Sequence, residues 1–290
     1  MSFLIVLIAV GLEFGVGGFA ALRSGKWSAD WVSFVERQQS AFRWLIGWGI
    51  VVILLGVPTL AAALLFAILE GISGLLAQLA GLATLLLMLG PEDLGAELEQ
   101  FQRSQRDREA CTNASFLAAA TGTDIGEPTG DAALDQSRAH LAALALAADR
   151  AWYQPLFWFF VLGPVAVIFY RLISNLRHTE QAESDHAAME KIDFLRDWLE
   201  YLPSRISGFC FGIAGSLVPV IEVLRSYLFS GHSAGTVVAQ SALAAIEQGR
   251  LAEVIGGDVD VYRMNLMMAM LKRAVIAWLV LLALLALVFS

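Results

Sequence analysis

Glu13 is a carboxylate inside an otherwise apolar run, residues 3–22. A charged side chain at the centre of a membrane span costs about 2.5–3.5 kcal/mol on insertion scales, so it turns toward a partner, an ion or a substrate. The plainer alternative is a structural carboxylate bonded to a neighbouring helix. Asp149 and Arg150 stand immediately before twenty uncharged residues, AWYQPLFWFFVLGPVAVIFY. The planar fork of Arg150 suits a carboxylate or phosphate at a membrane surface. It equally suits snorkelling at a helix end, with Trp152 and Tyr153 as interfacial anchors. Asp193, Asp197 and Glu200 fall at i, i+4 and i+7, on one helix face. Three acids so placed could hold Mg²⁺ with a phosphate completing the shell. Arg205 lies just beyond them and could bind an anion. A solvated acidic face with an ordinary arginine anchor has the same pattern.

Other chemistry finds less support. His178 and His186 are about two turns apart, whereas i, i+4 is the useful spacing for a metal. His140 and His232 stand alone and read as structural. SGK at 24–26 lacks the remaining residues of a phosphate loop, and no HExxH or nucleophile elbow occurs. Cys111 and Cys210 lie far apart in sequence, without zinc or redox spacing.

The elements that must hold these residues are membrane helices. The chain is 58% hydrophobic and 16% charged over 290 residues, with mean hydropathy +0.66. Water-soluble domains need more surface charge than that. A net charge of −8, with no basic stripe, argues against nucleic acid as a partner. The fold class expected is an all-α integral membrane protein, with about four to six transmembrane or membrane-embedded helices and cytoplasmic helical segments. Residues 1–90 supply a first span, an amphipathic tryptophan-bearing connector at 23–43 and a hairpin over 44–90 that turns near 69–74. Pro58 is a candidate kink, and Gly47, Gly49, Gly74 and Gly81 permit close helix approach.

Residues 91–150 form a polar helical segment in which Leu94, Leu98 and Phe101 track one face. Residues 151–230 hold a broken membrane helix, an acidic helix ending before Pro203 with Ile192, Leu195, Leu199 and Leu202 as its buried stripe, and a glycine-rich apolar helix at 206–224. Residues 231–290 hold helices at 237–255 and 260–271 and a closing apolar helix at 274–290. Whether 151–175 and 206–224 cross fully is left open by the sequence. Basic residues before and after 151–170 are both expected on the cytoplasmic side. That favours a segment that enters the membrane, turns at Gly163–Pro164 and returns; such backbone survives only where protein or water surrounds it.

Two blocks carry a resemblance. DRAWYQPLFWFFVLGPVAVIFYRL resembles the PLFW…GP…YRL signature of the AmpE family, inner-membrane proteins encoded with the amidase of β-lactamase induction. Pro155, Leu156, Phe157, Trp158, Gly163, Pro164, Tyr170 and Arg171 match it. IDFLRDWLEYLPSRI resembles the family's acidic helix, with Asp193, Pro203 and Arg205 matching. The family is in turn distantly similar to the CobD/CbiB membrane proteins of cobalamin biosynthesis. Glu200–Tyr201 stands where the family often has Asp-Trp, and LALAADRAWYQ replaces the acid- and asparagine-rich run of CbiB-like synthases.

The resemblance implies a multi-pass protein of the bacterial inner membrane that modulates β-lactamase induction, sensing or handling a cell-wall-derived ligand. Its candidate ligand-binding residues are Glu13, Asp149, Arg150, Trp158, Asp193, Asp197 and Arg205. Its partners are the lipid bilayer and a cell-wall metabolite or regulatory protein, and a homo-oligomer is compatible. One alternative is a CobD/CbiB-like amide-forming synthase using Mg²⁺, held by Asp193, Asp197 and Glu200, and a phosphorylated substrate. Another is a small-molecule transporter, favoured by Glu13 and the broken segment and opposed by the lack of an inverted repeat.

Overall fold

A computed structural model describes residues 2–15, 30–31, 48–89, 94–106, 117, 123–124, 130–176, 186–227, 233–247 and 259–288. Regular structure among them is entirely helical. Most of the 23–43 connector, the run 177–185 with His178, and Cys111 and His232 lie outside the described residues. The chain divides into two compact units, residues 1–91 with 155–199, and 92–154 with 200–290.

The first unit holds α1 (Ser2–Gly15), α2 (Trp48–Ile72) and α3 (Gly74–Met88). Ser73, in extended conformation, makes the turn between α2 and α3 where the sequence anticipates one. Two further helices, α6 (Gln154–Leu162) and α7 (Pro164–Leu176), flank Gly163 at φ +82°. Only glycine adopts that conformation cheaply, and proline is well suited to open the next helix because its missing N–H would have no partner there. The expected break at Gly163–Pro164 is therefore present.

The unit's core packs Leu54 and Leu55 of α2 against Leu172 and Ile173 of α7. Ile192 and Leu199 of α8 (His186–Ala214) complete it. Gly81 lets α3 approach α6 closely, since a Cβ there would sit 3.6 Å from the Phe159 ring. A Cβ on Gly74 would meet nothing within 4 Å, so that glycine does not serve the close contact expected of it.

Pro58 lies inside α2 and has no N–H to offer the carbonyl of Leu54, four residues earlier. The Trp31 indole supplies the missing donor, with Nε1 3.0 Å from the Leu54 oxygen. Thr59 Oγ1 also donates to the Leu55 carbonyl, at 2.6 Å. These bonds satisfy carbonyls that a regular helix would satisfy by itself.

The second unit is built on α5 (Ala132–Ala148). Residues 141–146 of α5, LAALAL, with leucine at every second or third place, are almost fully buried. Their small side chains let α10 (Ala234–Glu247) and α11 (Val259–Val288) pack closely on α5. The apolar face of α4 (Leu94–Arg106), namely Leu94, Leu98 and Phe101, is buried as its spacing requires. Phe101 meets His140 edge-on, and Gln102 Nε2 donates to Asn265 Oδ1 at 3.1 Å. His140 does not stand alone, because its Nδ1 lies 3.1 Å from Asp260 Oδ2.

Several boundaries differ from the expectation. The acidic helix does not end before Pro203; α8 continues to Ala214. Around the proline, Ser204 Oγ and Arg205 Nη1 both donate to the Tyr201 carbonyl, at 3.0 and 2.7 Å. Leu202 is 55% exposed, so the buried stripe of α8 is Ile192, Leu195 in part, and Leu199. The apolar run 206–224 is split at Gly215–Ser216, where α9 (Leu217–Tyr227) begins. Ser216 N–H donates to the Ala245 carbonyl at 3.0 Å, and a Cβ on Gly215 would stand 2.6 Å from that same oxygen. Backbone approach therefore dictates the glycine. Residues 260–271 and 274–288 are one helix, α11, with Lys272 and Arg273 exposed at its middle. The helix expected at 237–255 is α10, over Ala234–Glu247.

Two helices among the described residues are long and apolar enough to cross a membrane, Val52–Ile72 and Asp260–Val288. This is fewer than the four to six expected. At fifteen residues, α3 reaches only about 22 Å at 1.5 Å per residue, short of the ~30 Å hydrocarbon core. Leu60, Leu64 and Ile68 of α2 and Val280, Leu284 and Leu287 of α11 are each more than half exposed. An apolar surface of that kind fits lipid better than water.

Trp31→Phe should lower stability by about 1–3 kcal/mol, the cost of leaving the Leu54 carbonyl without its donor. Pro58→Ala restores an N–H to that carbonyl. The Trp31→Phe penalty should therefore shrink in a Pro58→Ala background, measured by thermal unfolding in detergent as a double-mutant cycle.

Candidate functional site: a buried polar cluster at a π-turn

Pro155 determines the backbone at the end of α5. A proline inside a helix lacks one hydrogen bond and crowds the carbonyl four residues earlier, here that of Ala151. The chain responds by widening. Asp149–Tyr153 form a π-turn, and the Gln154 N–H donates to the Asp149 carbonyl, five residues back. In a regular helix residues i and i+5 point roughly 140° apart at 3.6 residues per turn. The π-turn brings them onto one side. Gln154 Nε2 donates to Asp149 Oδ2 at 2.8 Å as a result.

This pair is buried, with Asp149 2% exposed and Gln154 fully enclosed. Glu200 of α8 is also buried, and its Oε1 lies 3.7 Å from Arg150 Nε. The Trp278 indole of α11 donates to the Ser207 hydroxyl of α8 at 3.3 Å. Tyr153 donates its hydroxyl to the Leu271 carbonyl at 2.6 Å and places its ring edge-on against Phe211. The π-turn, α8 and α11 are thus tied together by directed bonds around one carboxyl group.

Burial pushes the Asp149 carboxyl up, to about 6, and the nearby Glu200 charge adds to the rise. Hydrogen bonds from Gln154 and Ser207 and the Arg150 charge work the other way without cancelling it. Two oxygens in the pair, Asp149 Oδ1 and Gln154 Oε1, have no donor. A proton on Oδ1 turns one acceptor into a donor, and an acid facing a primary amide can then close a two-point pair. The arrangement can therefore take up and release a proton at about pH 6 in a water-poor setting.

The remaining candidates lie elsewhere. Arg205 belongs to the same unit but is turned to α9: it donates to the carbonyls of Tyr201, at 2.7 Å, and Tyr227, at 3.2 Å, and its guanidinium lies 3.4 Å over the Tyr201 ring. It thereby caps the C-terminus of α9. In the first unit, Asp193 and Asp197 flank Arg196, at 3.3 and 3.8 Å. Trp158 is half-buried against the core and edge-on to Phe157. Glu13 is half-buried near the end of α1.

Among the described residues no group of three acidic, histidine or cysteine side chains is disposed to hold a metal. The Mg²⁺ expected of Asp193, Asp197 and Glu200 does not fit, since each already faces an arginine. Sequence reasoning passed over Gln154, Ser207 and Trp278, and read Tyr153 as an interfacial anchor, whereas its side chain is fully buried and bonded to Leu271. A signal for Gln154 and Tyr153 was on the page, for DRAWYQP puts a proline inside a continuous helix just after a charged pair.

The family model described as "Regulatory signalling modulator protein AmpE" matches residues 21–289. No match is found among curated proteins, and none among solved structures. The similarity to CobD/CbiB is not shown by these comparisons.

Asp149 holds its proton in the folded protein between its ordinary value near 3.8 and about 6, where the unfolded chain has released it. Stability should therefore fall as pH rises through that window and level off above it. Asp149→Asn presents the amide donor permanently and should flatten the profile, raising the melting temperature at pH 7.5. Asp149→Ala should lower it at both ends, by leaving Gln154 Nε2 unpaired. Melting curves at pH 5 and 7.5 decide the matter.

Proposed function

The chain belongs to the AmpE family, and from that premise we propose that it is a multi-pass inner-membrane modulator of β-lactamase induction that responds to a cell-wall-derived ligand. The match over residues 21–289 carries this reading, because it covers both helical units rather than a shared span. The exposed apolar faces of α2 and α11 support a bilayer setting. We count α1, α3 and the α6–α7 pair as membrane-embedded with α2 and α11, which restores four to six segments.

Regulation needs an element with two arrangements that a ligand can bias. The cluster at the π-turn supplies one. It holds a buried carboxyl that titrates at about pH 6, an arginine beside it, and two oxygens awaiting donors. π-Turns occur often at functional sites because they place side chains that a regular helix would separate. A ligand bearing an amine or amide donor would satisfy the same oxygens as a proton does. A synthase would instead need free acids for a metal, and those of α8 are engaged with arginines. Glu13 and Arg150 remain the charges whose removal should affect signalling most.

In cells lacking the native copy, Arg150→Gln and Glu13→Gln should each reduce β-lactamase induction while membrane levels of the protein stay unchanged. Full induction by both variants would remove these residues from the function. The topology makes a separate prediction. With Cys111 and Cys210 replaced, a single cysteine at Asp197 should react with an impermeant thiol reagent only from the cytoplasmic side. Labelling from the periplasm would mean that residues 151–170 cross the membrane completely.

A further inference from the structure

Away from the π-turn cluster, the second unit contains a cavity of about 210 Å³. Its walls come from three places: Gly215 and Ser216 at the α8–α9 junction, Ala245 and Ile246 at the end of α10, and Met270 and Arg273 of α11. The lining is apolar except for Ser216, the backbone at the junction, and Arg273. The volume is below the roughly 300–1,000 Å³ of pockets that enclose drug-sized ligands. It suits a compact group whose remainder lies outside.

Three features define that group. First, Arg273 is exposed, and its Nε donates to Ala269 of its own helix at 3.3 Å. Its two terminal amino groups remain uncommitted among the described residues, which suits a phosphate. Lys272 beside it is also exposed and adds positive charge. Secondly, α9 begins at the cavity wall; the Ser216 N–H is bonded to Ala245 and Pro219 has none, which leaves the N–H groups of Leu217 and Val218 at the helix end that favours an anion. Thirdly, the lining face of α11, with Leu266, Met270 and Arg273, continues at helical spacing through Ala277, Val280 and Leu284. Val280 and Leu284 are 56% and 61% exposed, and Val218 at the start of α9 is 69% exposed. A basic seat thus lies next to an uncovered hydrocarbon-compatible strip.

We propose that this cavity binds the phosphate head group of an anionic membrane phospholipid, with Arg273 as the principal contact and the acyl chains lying along Val280 and Leu284 of α11. A basic residue beside a crevice between helices at the membrane surface is a recurrent way of holding such head groups. The same phosphate chemistry could come from a soluble phosphate, but the apolar strip has a use only if the ligand carries hydrocarbon. The site is distinct from the π-turn cluster. It rests on the membrane placement proposed above, which recovery of the protein in the membrane fraction tests separately.

The full-length protein in detergent, titrated with phosphatidylglycerol or phosphatidylcholine and observed by native mass spectrometry, gives the test. Phosphatidylglycerol should be retained in preference to phosphatidylcholine. Arg273→Gln should weaken that retention roughly tenfold or more, in line with loss of a charge-assisted hydrogen bond. Arg273→Lys should recover part of it, and Arg225→Gln, an exposed cation near the far end of α9, should leave it unchanged. Among the described residues Arg273 bonds only within its own helix, so all variants should melt as the wild type does. Equal retention of the two lipids, no effect of Arg273→Gln, or an equal effect of Arg225→Gln would overturn the proposal. Displacement of the lipid by inorganic phosphate alone would overturn its lipid part.

Discussion

A proline in a helix leaves a carbonyl without its donor, and in a water-poor environment that carbonyl has to be satisfied by the protein. Much of this structure follows from how that deficit is met. At Pro58 the donor is the Trp31 indole, which reaches the Leu54 carbonyl. At Pro155 the helix widens into a π-turn and re-forms its bonds one residue further along. Pro164 needs no remedy, because Gly163 ends the previous helix and the proline opens the next. At Pro203 the helix continues to Ala214, and the Ser204 and Arg205 side chains bond the Tyr201 carbonyl rather than that of Leu199, the one four residues before the proline.

The π-turn converts a backbone repair into a polar site. By bringing Gln154 over Asp149 it buries a carboxyl and an amide together. Burial raises the energy of the charged form, so the carboxyl's proton is held to higher pH. Arg150 and Glu200 form an ion pair close by, with the Glu200 carboxylate buried. Such clusters are poor contributors to stability but good places for a two-state response, because a single proton or donor changes the balance. The family to which the chain belongs is described as regulatory.

Charge elsewhere follows a different logic. Arg205, Arg196 and His140 are each turned to neighbours: a helix C-terminus, two aspartates of the same helix, and Asp260. The contacts of Arg205 and His140 join different helices, while those of Arg196 stay within α8. The acidic face of α8 accordingly works as a partner for arginines, and its spacing alone gave no indication of that.

The amino-acid sequence by itself determined the all-helical character, the buried face of α4, the turn between α2 and α3, and the break at Gly163–Pro164. These are local matters of apolar period and of glycine and proline geometry, so they can be read one segment at a time. It also carried the family, through two blocks whose residue types are unusual in combination. What the tertiary structure alone decided is which charges are spent on one another. His140 could be known as the partner of Asp260, Tyr153 as bonded to Leu271, Arg205 as a cap of α9, and Asp149 as a raised carboxyl only once the helices were packed. The continuation of α8 past Pro203 and the split at Gly215 belong with these. The reason is physical: a backbone rule acts within a few residues, whereas burial and pairing depend on groups a hundred residues away.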